Sequence, residues 1–193
     1  MRDGNSYTGD FQQGEIIGRG MRAYDDGTEY VGDFHMGEKH GYGEIMYGTR
    51  NKREEWYKGN WHMNVRHGFG QLMLRNKNLI KGEFVNHQPN GDCQIQYPDG
   101  GHFSGEIKRG VIDGIGELKT PDGFGYQGNF VDGRKQGPGK FYIQNGSYSL
   151  EGDFEDGEAK LQFNDILFEL VSPQPDDYEE VVADPKAKKD PKA

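Results

Sequence analysis

The sequence predicts an all-β fold: an elongated single-layer antiparallel array of about seven β-hairpins, twisted and with a groove along it. Three observations predict it. A five-residue unit, aromatic or aliphatic, any residue, Gly, polar, aromatic, recurs at nearly constant spacing, and such periodicity marks a repeat architecture. Within each unit apolar positions alternate with polar ones, as on a half-buried strand. Finally, Gly contributes 31 of 193 residues and Phe plus Tyr 11 each, while only 32% are hydrophobic, so burial rests on rings rather than a deep aliphatic core.

The units are YTGDF at Tyr7, YVGDF at Tyr30, YKGNW at Tyr57, IKGEF at Ile80, FSGEI at Phe103, YQGNF at Tyr126 and LEGDF at Leu150. Their glycines, Gly9, Gly32, Gly59, Gly82, Gly105, Gly128 and Gly152, lie 23, 27, 23, 23, 23 and 24 residues apart. The first six units continue into a Gly-x-Gly or its relic: Gly18/Gly20, Gly41/Gly43, Gly68/Gly70, Gly91/Cys93, Gly114/Gly116 and Gly137/Gly139. Most then reach a glycine-bearing turn, ending at Gly27, Gly100, Gly123 or Gly146. Two alternating arms bounded by turns read as a hairpin.

Glycine inside a strand weakens it and marks the close approach of another group. In this sequence the approaching group is an aromatic ring of the same or the next unit. Neighbouring hairpins satisfy one another's backbone groups, and seven of them at ~4.8 Å per strand give a ribbon of about 65 Å before twist.

This pattern, YxGxF followed by G, HGxG and DG at a 23-residue step, resembles the MORN repeat over residues 1–158. The resemblance implies an array without intrinsic catalysis. It also implies the settings in which such arrays occur: ciliary and cytoskeletal scaffolds, membrane-contact proteins, and accessory regions of lipid kinases and a lysine methyltransferase. This chain has no room for a kinase or methyltransferase domain.

Four departures stand out. The second interval is lengthened around Asn51-Lys52-Arg53-Glu54-Glu55, and the fourth unit starts with Ile80 and has Cys93 in place of a glycine. The seventh lacks its Gly-x-Gly arm and runs into an apolar segment, residues 159–172, with Leu161, Phe163, Ile166, Leu167, Phe168, Leu170 and Val171, expected to cap the sheet edge. No such cap is evident before the first unit. Residues 173–193, rich in Pro and charge, read as a flexible tail.

Composition narrows the function classes. One cysteine excludes an internal disulfide framework and a multi-cysteine zinc site, and suits a reducing compartment, the cytoplasm. A net charge of −9 opposes nucleic-acid binding. Charge is uneven, with −5 over residues 1–49, +4 over 50–140 and −6 over 141–172. Gly123–Gly128 matches GxGxxG, but that fingerprint binds phosphate only between a strand and a helix start, and here it straddles a hairpin junction. His35 with His62, and His40 with His67, recur 27 residues apart, in register on adjacent hairpins; a turn position that favours His accounts for them without a metal. No nucleophile, base and orienting group form a recognisable catalytic set. The sequence therefore predicts no enzyme, no cofactor and no metal.

Two surfaces are candidates for a protein partner. The rings Tyr7, Tyr30, Tyr57, Trp61, Phe103 and Tyr126 build the layer, and a single layer is expected to leave them partly open as a groove for an extended or helical peptide. On the opposite face Asp10, Asp33, Glu83, Glu106 and Asp153, with Asn60 and Asn129 in the same series, form a polar ladder, either solvated beside Lys58 and Lys81 or docking a basic segment. The leading expectation is a scaffold or adaptor in a ciliary (axonemal) or other cytoskeletal assembly. The alternative is peripheral attachment to acidic phospholipids through the basic middle repeats, where Arg50, Lys52, Arg53, Lys58, Arg66, Arg75, Lys77 and Lys81 lie.

Overall fold

The computed structural model describes residues 5–49, 52, 54–143 and 148–160. The proposed cap and tail, residues 161–193, lie outside the described residues, as do Arg50 and Arg53. Fourteen strands follow one another in sequence order: β1 (Ser6–Gln12), β2 (Glu15–Ala23), β3 (Glu29–His35), β4 (Glu38–Tyr47), β5 (Glu55–His62), β6 (Val65–Met73) and β7 (Leu79–Val85). Then come β8 (Gln88–Gln96), β9 (His102–Lys108), β10 (Val111–Lys119), β11 (Gly125–Val131), β12 (Arg134–Ile143), β13 (Tyr148–Glu155) and β14 (Glu158–Lys160). Their spatial order is the same, β1 to β14 in one sheet, and no helix occurs among the described residues. The chain forms two compact units: β1–β7 belong to the first and β9–β14 to the second, with the residues of β8 divided between them.

Each hairpin closes through a two-residue turn with both residues in the left-handed region, such as Met36 (φ 49°) with Gly37 (φ 78°) and Met63 (φ 48°) with Asn64 (φ 67°). That is the turn whose twist matches paired strands. The second turn residue then donates its N–H to the preceding hairpin. In the first unit Gly37 N–H reaches Ile16 O (2.9 Å), Asn64 reaches Lys39 O (2.9 Å) and His87 reaches Arg66 O (3.1 Å). In the second, Gly133 reaches Ile112 O (2.8 Å) and Gly157 reaches Lys135 O (3.1 Å). Hairpins are thus stitched at their tips as well as along their strands.

The DG-type connectors have their own logic. Asp26 Oδ1 accepts the N–H of Thr28 (2.8 Å), Asn76 Oδ1 that of Asn78 (3.0 Å) and Asp99 Oδ1 that of Gly101 (2.8 Å), so the carboxyl or amide replaces a backbone turn bond.

Ring over glycine is the core motif. A Cβ placed on Gly70 would meet Tyr57 Cε2 at 2.5 Å and Cζ at 2.6 Å, and one on Gly139 would meet Tyr126 Cε2 at 2.5 Å. Equivalent contacts link Gly20 to Tyr7, Gly43 to Tyr30 and Gly116 to Phe103. The tyrosine hydroxyl spans the hairpin and donates to the carbonyl three residues on: Tyr30 to Asp33 O (2.9 Å), Tyr57 to Asn60 O (3.0 Å) and Tyr126 to Asn129 O (3.2 Å). Those carbonyls lie where the register shifts, between Gly32 and Phe34 or Gly59 and Trp61, so the phenol stabilises a β-bulge the repeat spacing did not reveal.

Rings of successive hairpins then interlock edge to face. Tyr30 lies 5.0 Å from Phe34 and 5.5 Å from Trp61; Tyr57 lies 5.2 Å from Trp61 and 5.1 Å from Phe84. In the second unit Phe130 lies 5.5 Å from Phe103 and 5.2 Å from Tyr126, which in turn meets Phe154 at 4.6 Å. Such pairs add ~0.5–1.5 kcal/mol each beyond the area they bury.

Cations complete the ring face, a feature the sequence reading missed. Lys39 and Arg66 occupy the same repeat position and are 6% and 1% exposed. Lys39 Nζ lies 5.4 Å from the Trp61 ring centre and 5.5 Å from that of Tyr24, and Arg66 Cζ lies 5.5 Å from Tyr57. Lys135, the counterpart in the second unit, lies 5.2 Å from Tyr126, and desolvation holds its ammonium below the usual lysine range. An ammonium or guanidinium over ring faces recovers by cation–π attraction part of what it loses in leaving water.

Candidate functional site: the outer face of the second and third hairpins

The ring face is sealed rather than open, which corrects the expectation of an exposed aromatic groove. Tyr30 and Tyr57 have no exposed surface, Phe103 and Tyr126 retain 1% and Trp61 4%; Tyr7, near the first edge, is half-buried. The physical reason is the interlock: Tyr30, Tyr57 and Tyr126 are each flanked by a ring of their own and of the adjacent hairpin, with glycine beneath and Lys39, Arg66 or Lys135 alongside, while Phe103 packs over its glycine and against Phe130. Burial also pushes the Tyr30 and Tyr57 phenols well above the usual tyrosine range, and that of Tyr126 up to about 12.

The acidic ladder divides by role. Asp10 Oδ2 accepts the N–H of Arg19 (3.1 Å) and Asp33 Oδ2 that of Tyr42 (3.0 Å), so these two carboxylates pin the bulge beside Gly18 and Gly41. Glu106 packs its side chain over Gly114 in the equivalent place. Glu83 and Asp153 are exposed, in register with Phe69 and Pro138. Lys58 meets Glu44 at 3.7 Å, on the strand beside its own.

With the rings turned inward, the alternate residues of β4, β5 and β6 form a compact grid on the opposite face of the first unit. One row is His40, His62 and His67, joined by His35 from β3; ring centres are 5.6 Å apart for His35–His40, 5.1 Å for His40–His62 and 6.2 Å for His62–His67. The next row is Tyr42, Asn60 and Phe69, with Tyr42 opposite Asn60. Beyond it lie Glu44, Lys58 and Gln71, and then Met46, Trp56 and Met73, paired in register and continued by Leu79 of β7.

Tyr42 is 52% exposed and Phe69 70% exposed, while Met46, Trp56, Met73 and Leu79 are half-buried. Tyr42 and Phe69 are the middle residues of Gly41-Tyr42-Gly43 and Gly68-Phe69-Gly70. The two side chains stand two strands apart, on β4 and β6, roughly 10 Å at the usual strand spacing. Large aromatics held open by rigid strands, next to adaptable methionines, are the composition of a protein-contact surface. The signal that could have found them is the residue between the two glycines: it varies from Arg19 to Tyr42, Phe69, Asp92, Ile115 and Pro138 while its neighbours stay constant.

The remaining motifs are placed plainly. Gly123 ends a tight turn and Gly125–Val131 is strand, so the GxGxxG stretch opens no helix. Cys93 is a buried thiol, 3% exposed. Glu55, 8% exposed, pairs with Arg75 at 3.3 Å.

The family comparison agrees with this architecture. The family model described as MORN repeat matches six segments, residues 7–29, 30–52, 57–78, 81–102, 103–124 and 126–148. No curated protein matches significantly. Among solved structures, one that is similar is the SAS-4 (dCPAP) TCP domain in complex with a proline-rich motif of Ana2 (dSTIL) of Drosophila melanogaster, 11% identical. The match covers 70% of this chain and 72% of that one with a TM-score of 0.45, too low for an argument about function. MORN-repeat proteins are generally non-catalytic scaffolds or binding modules. The hairpin after the sixth match, β13–β14, keeps the ring contact through Phe154. By six repeats spread over most of its length, the chain belongs to the MORN-repeat family.

Proposed function

We propose that this protein is a non-enzymatic scaffold that holds an extended or helical segment of a partner protein in a ciliary (axonemal) or other cytoskeletal assembly. The outer face over β4–β6 is the contact surface. The observation that carries this reading is the exposure of Tyr42 and Phe69 beside the Met46–Trp56–Met73 row, on strands whose opposite face is fixed by the ring layer. Rigid presentation keeps the entropy cost of binding low.

The test is capture of partners from ciliated cells by the full chain, compared with a Tyr42→Ser/Phe69→Ser variant that keeps its β-sheet circular dichroism. Loss of axonemal or cytoskeletal components in the variant supports the proposal. An unchanged partner set rules out this face, and a set without cytoskeletal proteins rules out the location.

Attachment to acidic phospholipids has weaker support. Lys58, Arg75 and Lys77 are each engaged by Glu44, Glu55 and Glu54 respectively, which reduces the positive field of the middle repeats. Salt-sensitive pelleting with phosphatidylserine vesicles would reverse that preference.

A further inference from the structure

We infer that the imidazole row on the outer face is a binding site for one divalent late-transition ion of the zinc or copper class, chelated between His40 of β4 and His62 of β5. Three observations support this. First, the His40 and His62 ring centres are 5.1 Å apart and the rings are inclined at 58°. Two imidazoles sharing a tetrahedral ion at about 2.0–2.1 Å per nitrogen have ring centres roughly 5 Å apart. The tilt excludes face-to-face stacking, which would keep the nitrogen-bearing edges from converging.

Second, His40 does not do what its repeat position does in the fourth to sixth hairpins. There that position caps the next turn: Asn90 Oδ1 accepts the N–H of Arg109 (3.4 Å), Asp113 Oδ2 that of Asp132 (3.4 Å) and Gln136 Oε1 that of Asp156 (3.3 Å). His40 Nδ1 is enclosed without a hydrogen-bond partner. Turn capping therefore does not account for the histidine.

Third, His40 is flanked on both sides. His35 lies 5.6 Å away on β3, and His67 extends the row 6.2 Å beyond His62 on β6. The neighbouring imidazoles raise the local density of nitrogen ligand atoms, which suits zinc, copper or nickel and not magnesium or calcium. No group of three or more His, Cys, Asp or Glu able to hold an ion occurs among the described residues, so the chain supplies two nitrogens and water completes the shell. The pair joins β4 to β5, the second hairpin to the third, at the end of the two strands away from their lengthened connector, which leaves from the Tyr47–Glu55 pair. A bound ion is a second link between these hairpins.

The experiment uses the tag-free full chain after chelator treatment. Zn(II) is titrated by calorimetry, and Cu(II) is followed by electron paramagnetic resonance, with Mg(II) as control. The expected result is one ion per chain, a Cu(II) spectrum showing nitrogen ligation, a Zn(II)-dependent rise in melting temperature and no response to Mg(II). His40→Asn, which installs the residue that the fourth repeat carries at this position, is expected to fold and to lose both uptake and the thermal shift. His102→Asn is expected to change neither. No uptake by the wild-type chain, or uptake undiminished in a folded His40→Asn variant, would overturn the site.

Discussion

Substituting one glycine measures how tightly the ring layer is built. In Gly70→Ala the new methyl meets Tyr57 Cε2 at 2.5 Å and Cζ at 2.6 Å, about 1 Å inside ordinary carbon–carbon contact. Tyr57 has no free space to retreat into: it is fully buried, with Trp61 at 5.2 Å, Phe84 at 5.1 Å and the Arg66 guanidinium at 5.5 Å. Overpacking of this kind costs ~1–3 kcal/mol. Displacing the ring also strains the 3.0 Å hydroxyl bond to Asn60 O, a bond worth about 1 kcal/mol. Against this, replacing a strand glycine by alanine regains roughly 0.5–1 kcal/mol of chain entropy, and Gly70 needs no positive φ. The net expectation is a loss of about 2 kcal/mol.

The fourth repeat suggests the compensating change, because its sequence carries Ile80 and Cys93 at the positions of Tyr57 and Gly70. Tyr57→Ile alone empties the slot and Gly70→Cys alone overfills it. The double variant is expected to be more stable than the sum of the two losses predicts, by about 1–2 kcal/mol of coupling. Denaturant unfolding followed by tryptophan fluorescence reads this directly, since both tryptophans, Trp56 and Trp61, lie on β5. A neutral or stabilising Gly70→Ala, or strict additivity in the cycle, would refute the ring-over-glycine account.

Three further outcomes are expected. Tyrosines buried with raised pKa values make the fold sensitive to alkali: unfolded phenols ionise near pH 10, whereas Tyr126 holds its proton up to about 12. Stability is therefore complete below pH 10 and falls as pH climbs toward 12, because the unfolded chain there binds fewer protons; Tyr126→Phe should flatten that slope in pH-dependent denaturant melts. Met36→Asn places a residue tolerant of left-handed geometry at the 69%-exposed first position of its turn, and is expected to raise stability by roughly 0.5–1 kcal/mol in thermal unfolding. Lys39→Met keeps most of the packing against Tyr24 and Trp61 but removes the cation, so it should cost less than Lys39→Ala; equal losses would show that the charge, and not the stem, holds that place.

The two faces of the sheet differ in how far the sequence reveals them, and the difference is physical. The inner face must tile. A Tyr that crosses its own hairpin needs Gly beneath it, and a Phe or Trp four residues on needs the Tyr of the hairpin before, so the same letters return at the same step. Strand count, direction and the ring–glycine contact could all be read from Tyr7, Tyr30, Tyr57 and Tyr126. Burial of those rings could not, because the cations that close the layer, Lys39, Arg66 and Lys135, share one repeat position with Ile16, Pro89 and Ile112 and look like surface charge when taken singly. The outer face has no tiling requirement. Its residues are free to differ between hairpins, and a search for what repeats passes over them. Tyr42, Phe69 and Trp56 are departures at positions where other repeats place Arg19, Asp92 or Glu29 and similar residues. In an array whose folding is secured by periodicity, the residues free to define a partner are those that break the period, and in this chain they gather on β4, β5 and β6.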